Sequence, residues 1–410
     1  MSEARVLEAV DDRRKELIEF AQKLVSIPSE NPPGGEKEVV AAITPVIDRY
    51  SLGETRVVGR DTSRPNILTT MKGNGEGKRL LYNGHTDVVP VGQEERSHWK
   101  TDPFGAEIID GELYGRGSAD MKGPIASMLY GAIALKEAGA SFNGDLVLAF
   151  TADEENGGYY GAQYVSEEGL AAADVCLIGE PSGMKSGFDY LATACRGATC
   201  FKLVVRGTQM HSSQSDIRHA VNAGLKLCKV LYRMSEELEI RHEPHPLYPQ
   251  GVTINLGETL SGGLEYCIIP GYAEAKNDIR VLPGMSKEPV MKDLNDFLDK
   301  LRREDPQLDV ELVLDDGQGW VEGAEIPADH PMVTTLAGAS STVLGFSPIT
   351  GGFTGGTDAK HFVSVANTPT ISAFGPGLLN LAHGPNERVP VEDLVKGAKI
   401  YALAALRYLQ

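Results

Sequence analysis

The chain is short of positive charge: 39 lysines and arginines stand against 57 aspartates and glutamates, a formal net charge of −18. Its pI is near 5.0. A surface of that sign repels nucleic acid and anionic membrane, so neither is expected as a partner. No apolar run approaches the roughly 18 residues that a membrane span requires. Residues 1–20 mix acids, bases and apolar residues at helical spacing, without a basic tip followed by an apolar stretch, so a secretory leader is not expected. The five cysteines, Cys176, Cys195, Cys200, Cys228 and Cys267, form no even, regularly spaced framework. Free thiols in a reducing cytoplasm explain them better than disulfides. No G-x-G-x-x-G follows the early strands, which argues against a dinucleotide-dependent oxidoreductase. Internal repeats and low-complexity segments are also missing.

What is there is ordinary in bulk, with 41% hydrophobic and 23% charged residues. A length of 410 residues exceeds what one hydrophobic core organises, so two domains are expected. Residues 1–190 read as helices near 4–27, 35–50, 121–138 and 158–168, with strands at 66–71, 79–83, 145–151 and 174–179. Short apolar strands alternating with helices point to a doubly wound, mixed sheet of the α/β class. Residues 191–317 change texture. Strand 199–207, helix 216–237, strands 250–258 and 271–282, helix 286–303 and strand 308–315 spell βαββαβ, a small α+β domain. From 318 to 410 the first texture returns, with helix 331–344, strand 368–374 and helix 391–408. The expected architecture is a catalytic α/β domain made of 1–190 and 318–410, with an α+β lid or dimerisation domain inserted. The run Gly73–Lys78 lacks phosphate-loop spacing and reads as a hairpin turn.

In open α/β sheets, chemistry gathers beyond the carboxyl ends of strands. Strand 79–83 runs into His85 and Asp87, strand 145–151 into Glu154 and Glu155, and strand 174–179 into Glu180. Strand 368–374 leads through a Gly-Pro-Gly turn to His383, and Asp120 stands at a helix entrance. Singly, each has a plain reading: a hydrogen-bonded loop histidine, a solvated acidic turn, a helix N-cap. Together they form a nitrogen and oxygen donor set suited to zinc, cobalt or manganese.

In chain order, Gly84-His85-Thr86-Asp87-Val88-Val89-Pro90, Gly115-Arg116-Gly117-Ser118-Ala119-Asp120-Met121-Lys122-Gly123, Asp153-Glu154-Glu155, Gly179-Glu180-Pro181 and His383-Gly384-Pro385-Asn386-Glu387 resemble the signatures of the M20 family. Its metallopeptidases and deacylases include acetylornithine deacetylase, succinyl-diaminopimelate desuccinylase and the aminoacylases. The resemblance spans nearly the whole chain. It implies that Asp120 bridges two metal ions, that Glu155 and His383 complete one site, and that His85 and Glu180 complete the other. It implies Asp87 behind His85, accepting its hydrogen bond and fixing its tautomer. It also implies a cis peptide after Asp120 and Glu154 as general base. Two such cations acidify a water and polarise the scissile carbonyl. Glu154 then takes the water's proton and passes it to the leaving nitrogen.

The resemblance extends to the inserted domain. Gly207-Thr208-Gln209-Met210-His211-Ser212-Ser213 is similar to the family's lid segment, whose histidine, here His211, stabilises the oxyanion across a dimer interface. Asp278-Ile279-Arg280 resembles a lid motif in which Arg280 clamps a substrate carboxylate; its plain alternative is an ion pair with Asp278. Gly355-Gly356-Thr357-Asp358 resembles a substrate loop whose backbone amides hold an anionic group. One departure stands out: where relatives commonly carry an asparagine three residues before a proline, this chain has Cys267. A thiol hydrogen-bonds poorly, which disfavours ordinary amino-acid substrates and favours a flatter or less polar ligand. No paired base lies near it in sequence, so Cys267 is not expected to be a nucleophile.

The expectation is a cytoplasmic, homodimeric, metal-dependent hydrolase of a C–N (amide) bond, deacylating an N-acyl amino acid or a similar small anionic carboxylate. A dipeptidase or carboxypeptidase uses the same machinery. The Cys267 departure motivates an atypical C–N hydrolase, such as one releasing an aryl amine. A non-catalytic, metal-stabilised dimeric binding protein is the contrasting class. Its mark, loss of Glu154 or of a ligand, is absent from the sequence.

Overall fold

The structure is a computed structural model and describes residues 2–410. Two compact units emerge. One comprises the chain up to Cys195 with Ala324–Phe353 and Thr357–Gln410; the other comprises Arg196–Gly323 with Thr354–Gly356. The anticipated boundaries at 191 and 317 thus shift by a few residues. Strand Tyr190–Cys195 belongs to the first unit because Ala324–Glu325 and Ile349–Phe353 pair with it there. Residues 318–323 stay with the second, where Val321 and Ala198 exchange backbone hydrogen bonds of 2.8 and 2.9 Å.

In the first unit six strands lie in the order Glu54–Val58, Asn66–Lys72, Asp145–Thr151, Arg79–His85, Val175–Ile178, Thr370–Ile371. The first two pairings are antiparallel and the other three parallel, giving the mixed sheet. Successive side chains of the central strands feed two cores. Leu80, Tyr82, Leu146, Leu148 and Leu177 enter the core shared with helices Lys122–Ala138 and Val391–Tyr408. Leu81, Val147, Ala149, Cys176 and Ile178 enter the opposite one. Helix Lys122–Ala138 has almost no polar face because other helices pack over it, Arg14–Val25 and Val391–Tyr408 among them. The latter comes so close that a Cβ on Gly131 would lie 2.8 Å from the Ala398 carbonyl oxygen. Because the central strands are parallel, the loops after His85, Thr151 and Ile178 emerge side by side on one edge.

Several local expectations are corrected. Gly73–Lys78 is not a hairpin turn, since Asp145–Thr151 lies between the strands it joins; it hydrogen-bonds to residues 142–144 instead. Gly375–Leu378 is not a turn but a short strand parallel to Pro181–Gly183, so the segment leading to His383 is tied to the Glu180 loop. The first helix is two, Glu3–Asp12 and Arg14–Val25, broken at Arg13, whose guanidinium binds Glu16 and Glu137. The helix expected from 216 begins at Ala223, where Asn222 Oδ1 accepts from Leu225 N at 3.0 Å.

The second unit carries four strands in the order Thr253–Gly262, Tyr272–Val281, Gly197–Arg206, Asp309–Leu314, all pairings antiparallel. Phe201, Leu203, Val205, Ala275 and Ile279 pack with Leu227, Val230 and Met234 of helix Ala223–Glu237 and Leu294 and Leu298 of helix Lys287–Glu304. This is the βαββαβ order. Among the described residues no helix is long and apolar enough to cross a membrane.

Candidate metal centre

Three adjacent parallel strands deliver His85, the Glu154–Asn156 turn and Glu180 to one edge of the sheet. Asp120 arrives from the loop before helix Lys122–Ala138, and its peptide bond to Met121 is cis. His85 Nε2 lies 2.9 Å from Asp120 Oδ1 and 3.5 Å from Glu180 Oε1. His383 Nε2 lies 3.2 Å from both Asp120 Oδ2 and Glu155 Oε2. Each Asp120 oxygen therefore faces one histidine–glutamate pair. Ligand atoms of His85, Asp120 and Glu155, and of His85, Glu154 and Glu180, fall within 4.8 Å of one another. His85, Asp120 and Glu180 are buried, Glu154 and Glu155 partly so, and the His383 side chain is 55% exposed on the solvent side.

The chemistry of this donor set fits divalent cations. His85 Nδ1 donates to the Asp87 carbonyl at 3.0 Å. In a neutral imidazole the other nitrogen, Nε2, then carries a lone pair aimed at carboxylate oxygens. Such atoms repel unless a proton or a cation lies between them. Glu155 Oε1 is buried with no hydrogen-bond partner. Burial, then Asp120, push Glu155 up to about 7 and Glu180 well above the usual carboxylate range. Burial raises Glu154 as well. Hydrogen bonds to Asp120 and Glu155 lift His383 to about 11. Burial opposes charge on His85, yet Glu180, Asp120 and Asp87 outweigh it and raise that imidazole too. Carboxylates crowded at this depth need positive charge among them. The residues present fit divalent cations, which Asp120 would help to hold through its two oxygens together with the flanking histidine–glutamate pairs.

Asp87 works differently from its expected role. Its main-chain carbonyl, not its carboxylate, holds the His85 ring; the carboxylate is 3.6 Å from Nδ1. That carboxylate instead accepts from Asn31 Nδ2 at 2.7 Å, Glu155 N at 3.1 Å and Glu154 N at 3.2 Å. Asp87 thereby joins the imidazole to the turn that carries both glutamates. Asp153 opens that turn at φ 70, its carboxylate held by Asn31, Arg64 and Tyr160 N at 3.0–3.1 Å. Asn31, Arg64 and Asp153 escaped the sequence reading as supports. Only the position of Asp153, beside Glu154, hinted at one.

Below the turn, His361 Nε2 donates to the Gly157 carbonyl at 2.9 Å. Burial, followed by Lys360, pushes this imidazole down to about 4. A free histidine titrates near 6.5. Above that pH both states are neutral and the contribution to stability is complete. As pH falls from about 6.5 to about 4, the unfolded chain binds a proton that the folded chain refuses, so stability drops across that window. His361→Gln is expected to show a shallower loss of unfolding free energy between pH 7 and pH 5 than wild type, measured by denaturant titration. Parallel losses in the two proteins would contradict this.

The other expected site residues lie in different settings. Thr357 and Asp358 are fully buried. Thr357 Oγ1 accepts from Ala359 N and Asp358 Oδ2 from Thr151 Oγ1, both at 3.2 Å. Their side chains turn inward, so any substrate contact from them falls to backbone atoms; Gly356 is exposed. In the second unit, Arg280 Nε lies 2.6 Å from Asp278 Oδ2, the ion pair of its plain reading. His211 is exposed, with Nδ1 accepting from Ser213 N at 3.2 Å. It pairs across strands with Ile268, next to the exposed Cys267 at φ 65. Sequence reasoning missed Arg196. This arginine is 8% exposed, donates to the Gly251 carbonyl at 2.9 Å and lies 4.6 Å from the Tyr248 ring centre. Burial, and after it the neighbouring Arg280, lower its pKa. Among the described residues no carboxylate stands within ion-pairing distance of it. An arginine at the start of a strand carries no local sign of that environment.

Residues 81–407 match the family described as Peptidase family M20/M25/M40. An uncharacterized metallohydrolase of Methanococcus maripaludis is 27% identical over 416 residues, covering 94% of this chain and 97% of its own length. Succinyl-diaminopimelate desuccinylase of Buchnera aphidicola is 27% identical over 388 residues, covering 92% of this chain and 95% of its own. Among solved structures, a di-peptidase of Saccharomyces cerevisiae shares the fold with a TM-score of 0.79 at 19% identity, over 99% of this chain and 98% of the other.

Proposed function

The chain belongs to peptidase family M20/M25/M40, and from that premise, which makes it a metal-dependent amide hydrolase, we propose that it deacylates a small N-acyl amino acid or related carboxylate. The observation that carries the reading is the closure of His85, Asp120, Glu155, Glu180 and His383 around one shared carboxylate, with Glu154 beside them. His85 and Glu180 would hold one ion, Glu155 and His383 the other, and Asp120 both. Zinc suits the donors, with cobalt or manganese as substitutes. Bound there, such ions lower the pKa of water and polarise the scissile carbonyl. Glu154 takes the proton of the attacking water and returns it to the leaving nitrogen. His211 donates to the oxyanion.

An anionic substrate is supported by the two neighbouring arginines. A buried guanidinium without a carboxylate, as at Arg196, is costly, and a substrate carboxylate would relieve it. Arg280 would share that anion. Arg280→Ala is expected to raise KM about 10–100-fold with kcat little changed, since a hydrogen bond to a charged group contributes roughly 1.5–3 kcal/mol. An unchanged KM removes the clamp. The same arginines suit the free carboxylate of a dipeptide, which keeps the peptidase reading as the alternative. Initial rates on N-acetyl, N-succinyl and N-formyl amino acids, dipeptides and, for Cys267, aryl amines separate these readings.

The proposal includes a homodimer formed through the second unit. Leu225 and Tyr232 on helix Ala223–Glu237 and Leu260 on edge strand Thr253–Gly262 are 61–70% exposed, an apolar surface beside an open sheet edge. It also includes a cytoplasmic location, supported by five free cysteines.

A further inference from the structure

We propose that the buried ion pair Arg116–Glu387 is the positioning element that sets the metal affinity of the centre, by fixing Asp120 and His383 relative to each other. The inference rests on reading those two residues as ligands. Neither partner is itself a ligand, and they stand 271 positions apart in sequence. Arg116 is 1% exposed and Glu387 fully buried. Glu387 Oε1 accepts three backbone N–H groups at once, from Gly117 at 3.0 Å, Ala119 at 3.0 Å and Asp120 at 3.1 Å. Its other oxygen accepts from Arg116 Nη1 at 2.8 Å. One carboxylate therefore dictates the path of the loop that ends in Asp120.

Arg116 extends the lattice to the other side. Its guanidinium donates to the carbonyls of His383 and Gly384, each at 3.2 Å, and to Glu95 Oε1 at 2.7 Å. Trp99 lies beneath it, with its ring centre 5.5 Å away. His383 needs this anchorage. It is the most exposed of the expected ligands and sits at φ 63, outside any helix or strand. Its ring reaches Asp120 and Glu155 only while its backbone is held in place. The pair thus joins the residue shared by both ions to the histidine of one of them.

Its charges suit the task. A carboxylate accepts all four hydrogen bonds, whereas glutamine must turn an NH2 toward either Arg116 or the three amides. Lysine at 116 keeps the charge but loses the planar fork that reaches Glu387, Glu95 and two carbonyls together. Partners behind metal ligands typically change affinity about 10–100-fold when replaced.

The test is a Co2+ titration of metal-free wild type, Arg116→Lys and Glu387→Gln, read by visible absorption and chelator competition, with thermal unfolding of each metal-free protein alongside. Expected are folded variants that bind Co2+ about 10–100-fold more weakly than wild type, with a changed ligand-field spectrum. A folded variant with wild-type affinity and spectrum overturns the inference. So does failure of both variants to fold without metal, because the pair would then serve the fold and not the ions. Wild type that binds no Co2+ rejects the ligand assignment itself, a separate result.

Discussion

Replacing Glu154 by glutamine is expected to lower kcat by about 10²–10⁴-fold, the usual contribution of a positioned acid–base group, with metal content unchanged. Glutamine matches the glutamate in shape and cannot accept a proton from water. The turn survives the change, because the hydrogen bond from residue 154 to Asp87 comes from its main-chain N–H. Glu155, the neighbouring proposed ligand, keeps its own main-chain bond to Asp87 and its contact with His383. Loss of rate and retention of metal therefore separate in this one variant. Steady-state kinetics with elemental analysis check it; a fall in metal content matching the fall in rate would place Glu154 among the ligands instead.

The second large effect belongs to Asp120. Each of its oxygens faces a different histidine, at 2.9 and 3.2 Å, so it links the His85–Glu180 pair with the Glu155–His383 pair. Asp120→Ala is expected to weaken both ions, by more than the about 10–100-fold typical of a supporting partner, and to abolish measurable turnover. Glu155→Ala is expected to weaken mainly the ion shared with His383. Metal titration of the two variants separates these outcomes. Two ions held by Asp120→Ala with wild-type affinity would rule out a shared ligand.

The convergence of these acids and histidines was legible because the apolar runs 79–83, 145–151 and 174–179 are strands with buried side chains, each running into an acid or histidine. The rule that sites sit beyond carboxyl ends did the rest. What sequence hid is what depends on distant partners. Nothing local announces that Asp145–Thr151 inserts between the strands flanking Gly73–Lys78, so that connection read as a hairpin. Asp87 was rightly associated with His85, but which of its oxygens does the holding is a matter of loop geometry. Arg116 and Glu387 both lie in recognised motifs, yet their pairing follows from the fold that closes a 271-residue separation. Gly355–Asp358 read as a loop offering backbone amides, and nothing in that run announces that the Thr357 and Asp358 side chains are buried.

The most direct test of the central claim is divalent metal per chain, measured on wild type and Glu154→Gln together with hydrolysis of the acyl amino acid, dipeptide and aryl amine panel. Up to two ions per chain are expected in both proteins, one beside each Asp120 oxygen, with turnover in wild type alone. A chain that binds no divalent ion, or a Glu154→Gln protein that turns over at the wild-type rate, would contradict it.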